Sequence, residues 1–304
     1  MGIVFWKELS DHFSSLRFMI LLVLIILVGI WATYASGQVI RENAPLMPTQ
    51  FIFLWLLTSR TEAIFSLVSF LGFFGPLVGI MLGFDSISSE YARGTLSRVL
   101  SQPIHRDSLI NGKFLAGFAT VAVFWASILL IVIGLGITLL GFPPNTEELW
   151  RMLISTAVGI LFVGFWLALA LLFSLLFQRT VTAALASLAL WLFLAIFVPM
   201  LSSPIAGFFV GNPTTQEELT RLANIETIVN RFSPSILYEE TVQIVLNPQA
   251  HLMGIAGTEG ILPTPLALGQ SILQIWPQLT TLFAMAAVCF GIAYIKFMRT
   301  EIRA

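Results

Sequence analysis

The feature that most constrains this chain is a series of long apolar runs separated by short polar segments. A helix that crosses the hydrocarbon core of a bilayer takes about 20 apolar residues. The runs that approach or exceed this length are 18–36, 63–84, 114–140, 152–177, 181–203 and 279–295. Because backbone polar groups cannot stay unpaired in lipid, each run is predicted to be a helix. The chain is therefore predicted to be an all-α polytopic membrane protein with about six transmembrane helices.

The overall composition excludes several other classes of protein. Apolar residues make up 57% of the 304 residues and charged residues only 10%, and the mean hydropathy is +0.92. A soluble domain has about 25% charged residues, so a soluble enzyme is excluded. The net charge of −1 gives no basic field for a nucleic acid. A single cysteine, Cys289, cannot form a disulfide within the chain and is expected to be a small buried apolar residue.

The residues that would carry chemistry are also missing from the sequence. No G-x-x-x-x-G-K-[ST] phosphate loop occurs, so the chain is not expected to bind ATP itself. His12, His105 and His251 lie in separate polar segments without the spacing of metal ligands. The apolar runs contain neither a serine–histidine pair nor paired aspartates. We therefore predict no catalytic residue, no metal site and no cofactor in this chain.

The interiors of the apolar runs hold no charged residue. A charge at the centre of a bilayer is costly and usually marks an ion or proton path. Its absence argues against a proton-coupled carrier or a charge-selective channel. A transporter of this composition would need energy from a partner.

The polar segment 85–113 lies between the second and third runs and has the highest density of charge in that part of the chain. Flanked by two spans, it must lie in water on one face of the bilayer. A short helix is predicted in its middle, with Ser88 or Ser89 as the N-cap, Glu90 in the first turn and Pro103 at the end. An ordinary polar loop is the simpler interpretation.

Three parts of the chain carry a resemblance to a known family. The first is Glu90-x-x-x-Gly94-Thr95-Leu96, with Leu100-Ser101-x-Pro103-Ile104-x-Arg106 and Gly112-Lys113-Phe114 after it. The others are Lys7-Glu8-Leu9-x-Asp11 near the N-terminus and Phe232-Ser233-Pro234-Ser235-x-Leu237-Tyr238. Together these patterns resemble the ABC-2 type transporter permeases, with the strongest match in the 85–113 segment.

The resemblance implies that residues 1–304 form a single transmembrane domain in the cytoplasmic membrane. In that family the 85–113 segment carries a coupling helix that seats in the ATP-binding subunit. The residues implied to make this contact are Ser89, Glu90, Tyr91, Arg93, Gly94, Thr95 and Leu96. The implied partners are two ATP-binding subunits, which would bind the ATP, and a second permease copy in a homodimer or heterodimer.

Two further sets of residues are candidates for a role inside the membrane. Gly75, Gly79 and Gly83 form two overlapping GxxxG steps, which favour close helix packing; a permissive helix kinked at Pro76 is the alternative. In the family, the second and fifth spans line the central path. The resemblance therefore makes four aromatic residues candidates for contact with an apolar or amphipathic cargo, namely Phe70, Phe74, Trp191 and Phe197. Aromatic residues that face lipid or the protein core are the simpler interpretation, and the one we favour.

The remaining segments are predicted to lie at the two surfaces of the membrane. Residues 2–16 have apolar positions at three- and four-residue spacing, which predicts an amphipathic helix in the interface. The apolar patch 51–57 is too short to span and is predicted to lie in the outer interface. Residues 204–278 are predicted to form a helical extracytoplasmic segment, with a capping box at Thr215 and Glu218, a helix start at Ser233-Pro234 and a last amphipathic helix from Thr264 to Trp276.

The distribution of basic residues predicts the orientation. With both termini and segment 85–113 inside the cell, ten of the 15 lysines and arginines lie inside and five outside. The positive-inside rule therefore favours N-in, C-in. The expected function is the permease subunit of an ATP-driven exporter, not an enzyme. The alternative is a non-transporting membrane sensor or scaffold that binds a partner through its outer helices.

Overall fold

A computed structural model describes residues 2–43, 51–59, 66–94, 105–211, 215–248 and 266–299. These residues form helices joined by short turns, and no strand occurs among them. The helices are α1 Gly2–Ser14, α2 Leu16–Glu42, α3 Ile52–Thr58, α4 Leu67–Gly83, α5 Ser88–Ala92, α6 Arg106–Leu140, α7 Thr146–Leu176, α8 Thr180–Leu192, α9 Val198–Val210, α10 Gln216–Asn230, α11 Pro234–Leu246 and α12 Leu268–Arg299. The prediction of an all-α chain is confirmed for the residues described.

Five helical stretches are long and apolar enough to cross a membrane. They are α2, α6, α7, the continuous stretch Thr180–Val210 and α12. Helix α4 corresponds to the second predicted span but has only 17 described residues, and residues 63–65 of that prediction lie outside the described part of the chain. The total of about six spans and the orientation in the membrane stay predictions.

Helix α7 is the centre of the bundle. In its most apolar 18-residue window 83% of the residues are buried, against 17–28% in the other four candidate spans. The side chains of Phe162 and Trp166 are completely buried there. Because the other spanning stretches leave most of their apolar surface uncovered by this chain, that surface is suited to lipid or to a partner.

Helix α4 packs against α7 through its glycines. A Cβ on Gly79 would lie 2.6 Å from the carbonyl oxygen of Val163, and one on Gly83 would lie 2.7 Å from the Cβ of Ala170. At Gly75 the corresponding distance, to a methyl group of Val163, is 3.2 Å. Only glycine lets the two backbones approach this closely. The partner of this face is thus a helix of the same chain.

The apolar patch 51–57 is covered by the rest of the bundle, and its place in the outer interface stays a prediction. It forms α3, in which Phe53, Leu54 and Leu56 are fully buried. The backbone N–H of Phe53 donates to Glu148 Oε1 on α7 at 2.9 Å. The patch is apolar because it packs in the protein core.

The fifth predicted span is longer than expected and contains a π-helical turn. The helix runs from Thr180 to Val210, and residues Phe193–Phe197 form the π turn directly before Pro199. Proline lacks an N–H and its ring clashes with the carbonyl four residues earlier, which is a common cause of such an irregularity. The proline therefore modifies the helix without ending it.

Within segment 204–278 the structure confirms two helix starts. Thr215 Oγ1 accepts from the N–H of Glu218, whose carboxylate accepts from the N–H of Thr215, and α11 begins at Pro234. However, α11 packs inside the bundle, where the ring of Tyr238 stacks on Phe162 at 4.6 Å. Helix α10, in contrast, has no buried residue.

The last part of the chain is one long helix. The predicted amphipathic helix and the sixth predicted span join as α12, with Pro277 inside it. The predicted start of the amphipathic helix at Thr264 lies outside the described residues.

Candidate coupling site

Helix α5 follows α4 after a short turn, and the N-terminal end of α5 is hydrogen-bonded to α7. The backbone N–H groups of Ile87 and Ser88 both donate to the hydroxyl oxygen of Ser174 at 2.9 Å. Ser174 is fully buried near the C-terminal end of α7. A side chain of another helix therefore satisfies the N–H groups that the start of a helix leaves unpaired.

The predicted N-caps of α5 were wrong. The N-cap position is Ile87, which has no side-chain cap. The hydroxyls of Ser88 and Ser89 donate backwards, to the carbonyls of Phe84 and Asp85, at 2.9 and 2.6 Å. This back-bonding is the usual competitor of capping for serine.

A buried lysine connects three helices at this end of the bundle. Helix α6 begins at Arg106, eight residues before the apolar run at 114, so Lys113 lies in its third turn. The side chain of Lys113 is only 5% exposed, and its Nζ lies 2.9 Å from Glu8 Oε1 on α1 and 3.0 Å from Glu90 Oε1 on α5. The cluster Glu8–Lys113–Glu90 thus joins α1, α5 and α6. We call it the lysine cluster.

The neighbouring glycine allows the N-terminal helix to lie close to α6. A Cβ on Gly112 would come within 2.9 Å of a methyl carbon of Val4. Val4 is buried in this contact, and its neighbours Ile3 and Trp6 are largely exposed. The inner face of α1 is therefore fixed to α6 by packing and by the ion pair, and the position of this helix in the membrane interface stays a prediction.

A polar cavity of about 410 Å³ lies beside the lysine cluster, between α1 and the turn that joins α4 to α5. Burial raises the pKa of Asp85 in this cavity, and the nearby Arg17 only partly opposes that effect. Burial also lowers the pKa of His12, against the opposing effect of Glu8. The groups at this end of the bundle are thus partly dehydrated, which strengthens the interactions between their charges.

The predicted coupling residues fall into two groups. Ser89, Glu90 and Tyr91 are half-buried and belong to the side of α5 that packs on the bundle. Arg93 and Gly94 are exposed; Gly94 has a φ of +66° and open space around the position of a Cβ. Thr95 and Leu96 lie outside the described residues. Helix α5 is therefore anchored to the bundle on one side, and the two residues after it, Arg93 and Gly94, are exposed.

The structure brings three of the four predicted cargo-path residues together. The rings of Phe70 and Phe74 on α4 lie 4.6 Å apart, and Phe73 contacts both Phe74 and the buried Trp191 at 5.1 Å. Phe197 is not part of this group. It is exposed on the π turn and stacks on Phe193.

A second polar centre, which the sequence analysis missed, lies at the opposite end of α7. Arg151 is fully buried, with its guanidinium 2.7 Å from Glu147 Oε1. It also donates to Ser271 Oγ and to the backbone carbonyls of Val245 and Leu266. From Arg151 to Ser174 the helix spans about 35 Å at 1.5 Å per residue. The sequence gives no sign of this centre except that Arg151 follows two glutamates. The other hydrogen-bond partners of Arg151 lie 94 or more residues away along the chain.

Comparison with known proteins agrees with the resemblance seen in the sequence. The profile of the ABC-2 family transporter proteins matches residues 3–302. The probable ABC transporter permease protein NosY of Stutzerimonas stutzeri is 27% identical over 309 residues, which cover 92% of this chain and 94% of that protein. The probable ABC transporter permease protein NosY of Pseudomonas aeruginosa is 31% identical over 142 residues. This match covers 45% of this chain and 50% of that protein.

The family match extends over nearly the whole chain, and the helices are of the length and apolarity that a membrane domain needs. The family implies association with ATP-binding subunits. The resemblance noted in the sequence is confirmed. The chain belongs to the ABC-2 family of transporter proteins and is a multi-pass transmembrane subunit of an ABC transporter.

Proposed function

We propose that this chain is the permease subunit of an ATP-driven exporter and that α5 is its coupling helix. In this proposal two ATP-binding subunits bind the ATP, and a second permease copy, identical or related, completes the membrane part. Both termini lie in the cytoplasm, as the basic residues favour. The observation that supports the coupling role is that α5 is anchored to the bundle on one side and exposed at its end.

The anchoring contacts are suited to transmitting force. Ser174 holds the first turn of α5 against the central helix α7. Glu90 joins the same short helix, through Lys113, to α6 and α1. A displacement of Arg93 and Gly94 by a moving ATP-binding subunit would then reach α1, α6 and α7 together. ATP can shift the permease between two states only if the ATP-binding subunits bind those states differently, and the anchored α5 would carry such a difference to the bundle.

The aromatic cluster on α4 and α8 supports a cargo with apolar surface. Phe73 is exposed and lies against the buried Trp191, so the cluster has one open side. The NosY relatives are described as permeases, which agrees with a transport role. The open side of the cluster supports our proposal that the substrate is an apolar or amphipathic molecule. A cargo assay distinguishes this role from a purely structural role of the rings.

The decisive experiment measures ATP hydrolysis by the assembled complex. We expect Glu90→Ala and Gly94→Leu to lower the ATPase rate towards that of the isolated ATP-binding subunit, because the first loosens α5 and the second alters its exposed end. Both variants should still insert into the membrane and copurify with a partner. Glu217→Ala, at an exposed site on α10, and Gly207→Leu on α9, where a Cβ would meet nothing within 4 Å, are the control variants. A wild-type ATPase rate in both α5 variants would reject the coupling role.

A second candidate function is supported by α10. None of its residues is buried, and Leu219 and Ile228 are exposed. Such a helix could bind a partner protein in a non-transporting sensor or scaffold. Purification of the tagged chain separates the two functions: recovery of an ATP-binding subunit supports the transporter, and a stable complex with an outer protein alone supports the scaffold.

A further inference from the structure

We propose that a groove between α5, α7 and α12 binds an anionic phospholipid of the inner leaflet. This proposal rests on the proposed function for the orientation of the chain. The groove has a volume of about 790 Å³ and lies at the C-terminal ends of α7 and α12. The residues that carry the argument are Tyr91, Leu176, Ile292, Ile295, Lys296 and Arg299.

One face of α12 changes from apolar to basic along its length. Ile292, Ile295, Lys296 and Arg299 follow the i, i+3, i+4, i+7 pattern and so share a side of the helix. The two isoleucines are about half exposed, and the two basic residues lie one turn nearer the end of the span. An acyl chain fits the apolar half and a phosphate the basic half.

The other walls make this face a groove. Leu176, at the end of α7, is exposed and continues the apolar surface opposite α12. Tyr91 of α5 supplies a third side. On its opposite face α12 is packed into the bundle through Ala293 and Phe297, so the groove is held by buried contacts.

The charge of the groove favours an anion. Lys296 and Arg299 bring two basic side chains to its lining, whereas the cavity beside the lysine cluster is lined by both acidic and basic residues. Basic residues also complement the dipole at the C-terminal end of a helix. Complementing the dipole needs neither an apolar half nor a concave wall. Basic residues, an apolar half and a concave wall together are what we expect of a basic lipid site between helices on the cytoplasmic side of a membrane protein.

Other occupants fit the groove less well. A second copy related by two-fold symmetry would bring the same basic residues towards each other if this face met itself. A soluble subunit would have to cover isoleucines that lie on the membrane side of the basic residues. A phospholipid satisfies both halves and is present wherever the protein is.

The test is lipid binding by the full-length permease purified in detergent. Native mass spectrometry would compare phosphatidylglycerol with phosphatidylcholine carrying the same acyl chains. We expect tighter binding of phosphatidylglycerol, and about a 25-fold loss in Lys296→Gln/Arg299→Gln, since each of the two basic residues near an anionic lipid contributes roughly fivefold. The double variant Arg41→Gln/Arg221→Gln, at exposed arginines elsewhere, should keep the preference.

Three results would overturn the proposal. One is equal binding of the two lipids, and another is an unchanged preference in Lys296→Gln/Arg299→Gln. The third is displacement of phosphatidylglycerol by inorganic phosphate or by added ATP-binding subunit, which would identify a simple anion site or a subunit interface. The assay contains no ATP and measures no hydrolysis. A failure here therefore leaves the ATPase test of α5 unaffected, and a failure of that test does not change the lipid preference.

Discussion

Replacing Lys113 with methionine is the perturbation with the clearest expected effect. The side chain of Lys113 is 5% exposed, and its Nζ lies 2.9 Å from Glu8 Oε1 and 3.0 Å from Glu90 Oε1. Methionine has a similar length but no charge, so Glu8 and Glu90 would face each other without a cation. Two mostly buried carboxylates in that position repel each other and lose a hydrogen-bond donor.

The magnitude follows from the burial of the cluster. Removing one partner of a buried ion pair destabilises a protein by about 3–5 kcal/mol, because the remaining charge is left without compensation. For a chain of this size about 2 °C of melting temperature corresponds to 1 kcal/mol, which gives a decrease of about 6–10 °C. Adding Glu8→Gln and Glu90→Gln to Lys113→Met should recover most of this loss, because no uncompensated charge then remains.

The assay is thermal unfolding of the purified permease in detergent, followed by tryptophan fluorescence. The matched control is Lys7→Met. Lys7 is 68% exposed and lies 3.7 Å from the carboxylates of Glu8 and Asp11, and such surface pairs contribute about 0–1 kcal/mol. If Lys113→Met lowers the melting temperature no more than Lys7→Met, the lysine cluster does not hold α1, α5 and α6 together.

Three further predictions concern the packing and polar groups of the bundle. Gly79→Ala should lower the melting temperature, since overpacking costs about 1–3 kcal/mol, whereas Gly134→Ala should not lower it, because a Cβ there meets nothing within 4 Å. Burial raises the pKa of Asp85, so its ionised form is disfavoured in the folded state. Asp85→Asn should therefore melt at a higher temperature than the wild type at pH 7. This difference in melting temperature should shrink as the pH falls through the raised pKa, and it should vanish below the ordinary pKa range of aspartate. Arg151→Met should be destabilised by several kcal/mol, at about 1–3 kcal/mol for each buried acceptor left without a donor, while Arg221→Met at an exposed site should change the melting temperature by less than about 1 °C.

Local patterns in the sequence were enough to predict much of the secondary structure. The capping box at Thr215 and Glu218 and the proline at the start of α11 mark helix starts that the structure confirms. These signals work because capping and the fixed φ of proline act within one helical turn. Pro277 shows the limit of the same rules, because the long helix α12 continues through a residue that usually ends helices.

The packing partners could not be predicted in this way. Hydropathy alone does not show whether a short apolar segment is covered by the rest of the protein, and α3 and α11 proved to be packed into the bundle. Lys113 counted in the sequence only as a positive charge at the end of a span, because its partner Glu8 is 105 residues away. Contacts of this kind depend on the arrangement of whole helices, for which a single sequence holds no local signal.

The central claim of this account is that the end of α5 faces the cytoplasm and meets the ATP-binding subunit. The most direct measurement is labelling of Ala92→Cys, an exposed site on α5, with a membrane-impermeant maleimide in a Cys289→Ser background. We predict labelling in inside-out vesicles but not in right-side-out vesicles, and protection of the site when the ATP-binding subunit is assembled. Labelling only from the outer side would place α5 beyond the reach of ATP hydrolysis and contradict the coupling mechanism.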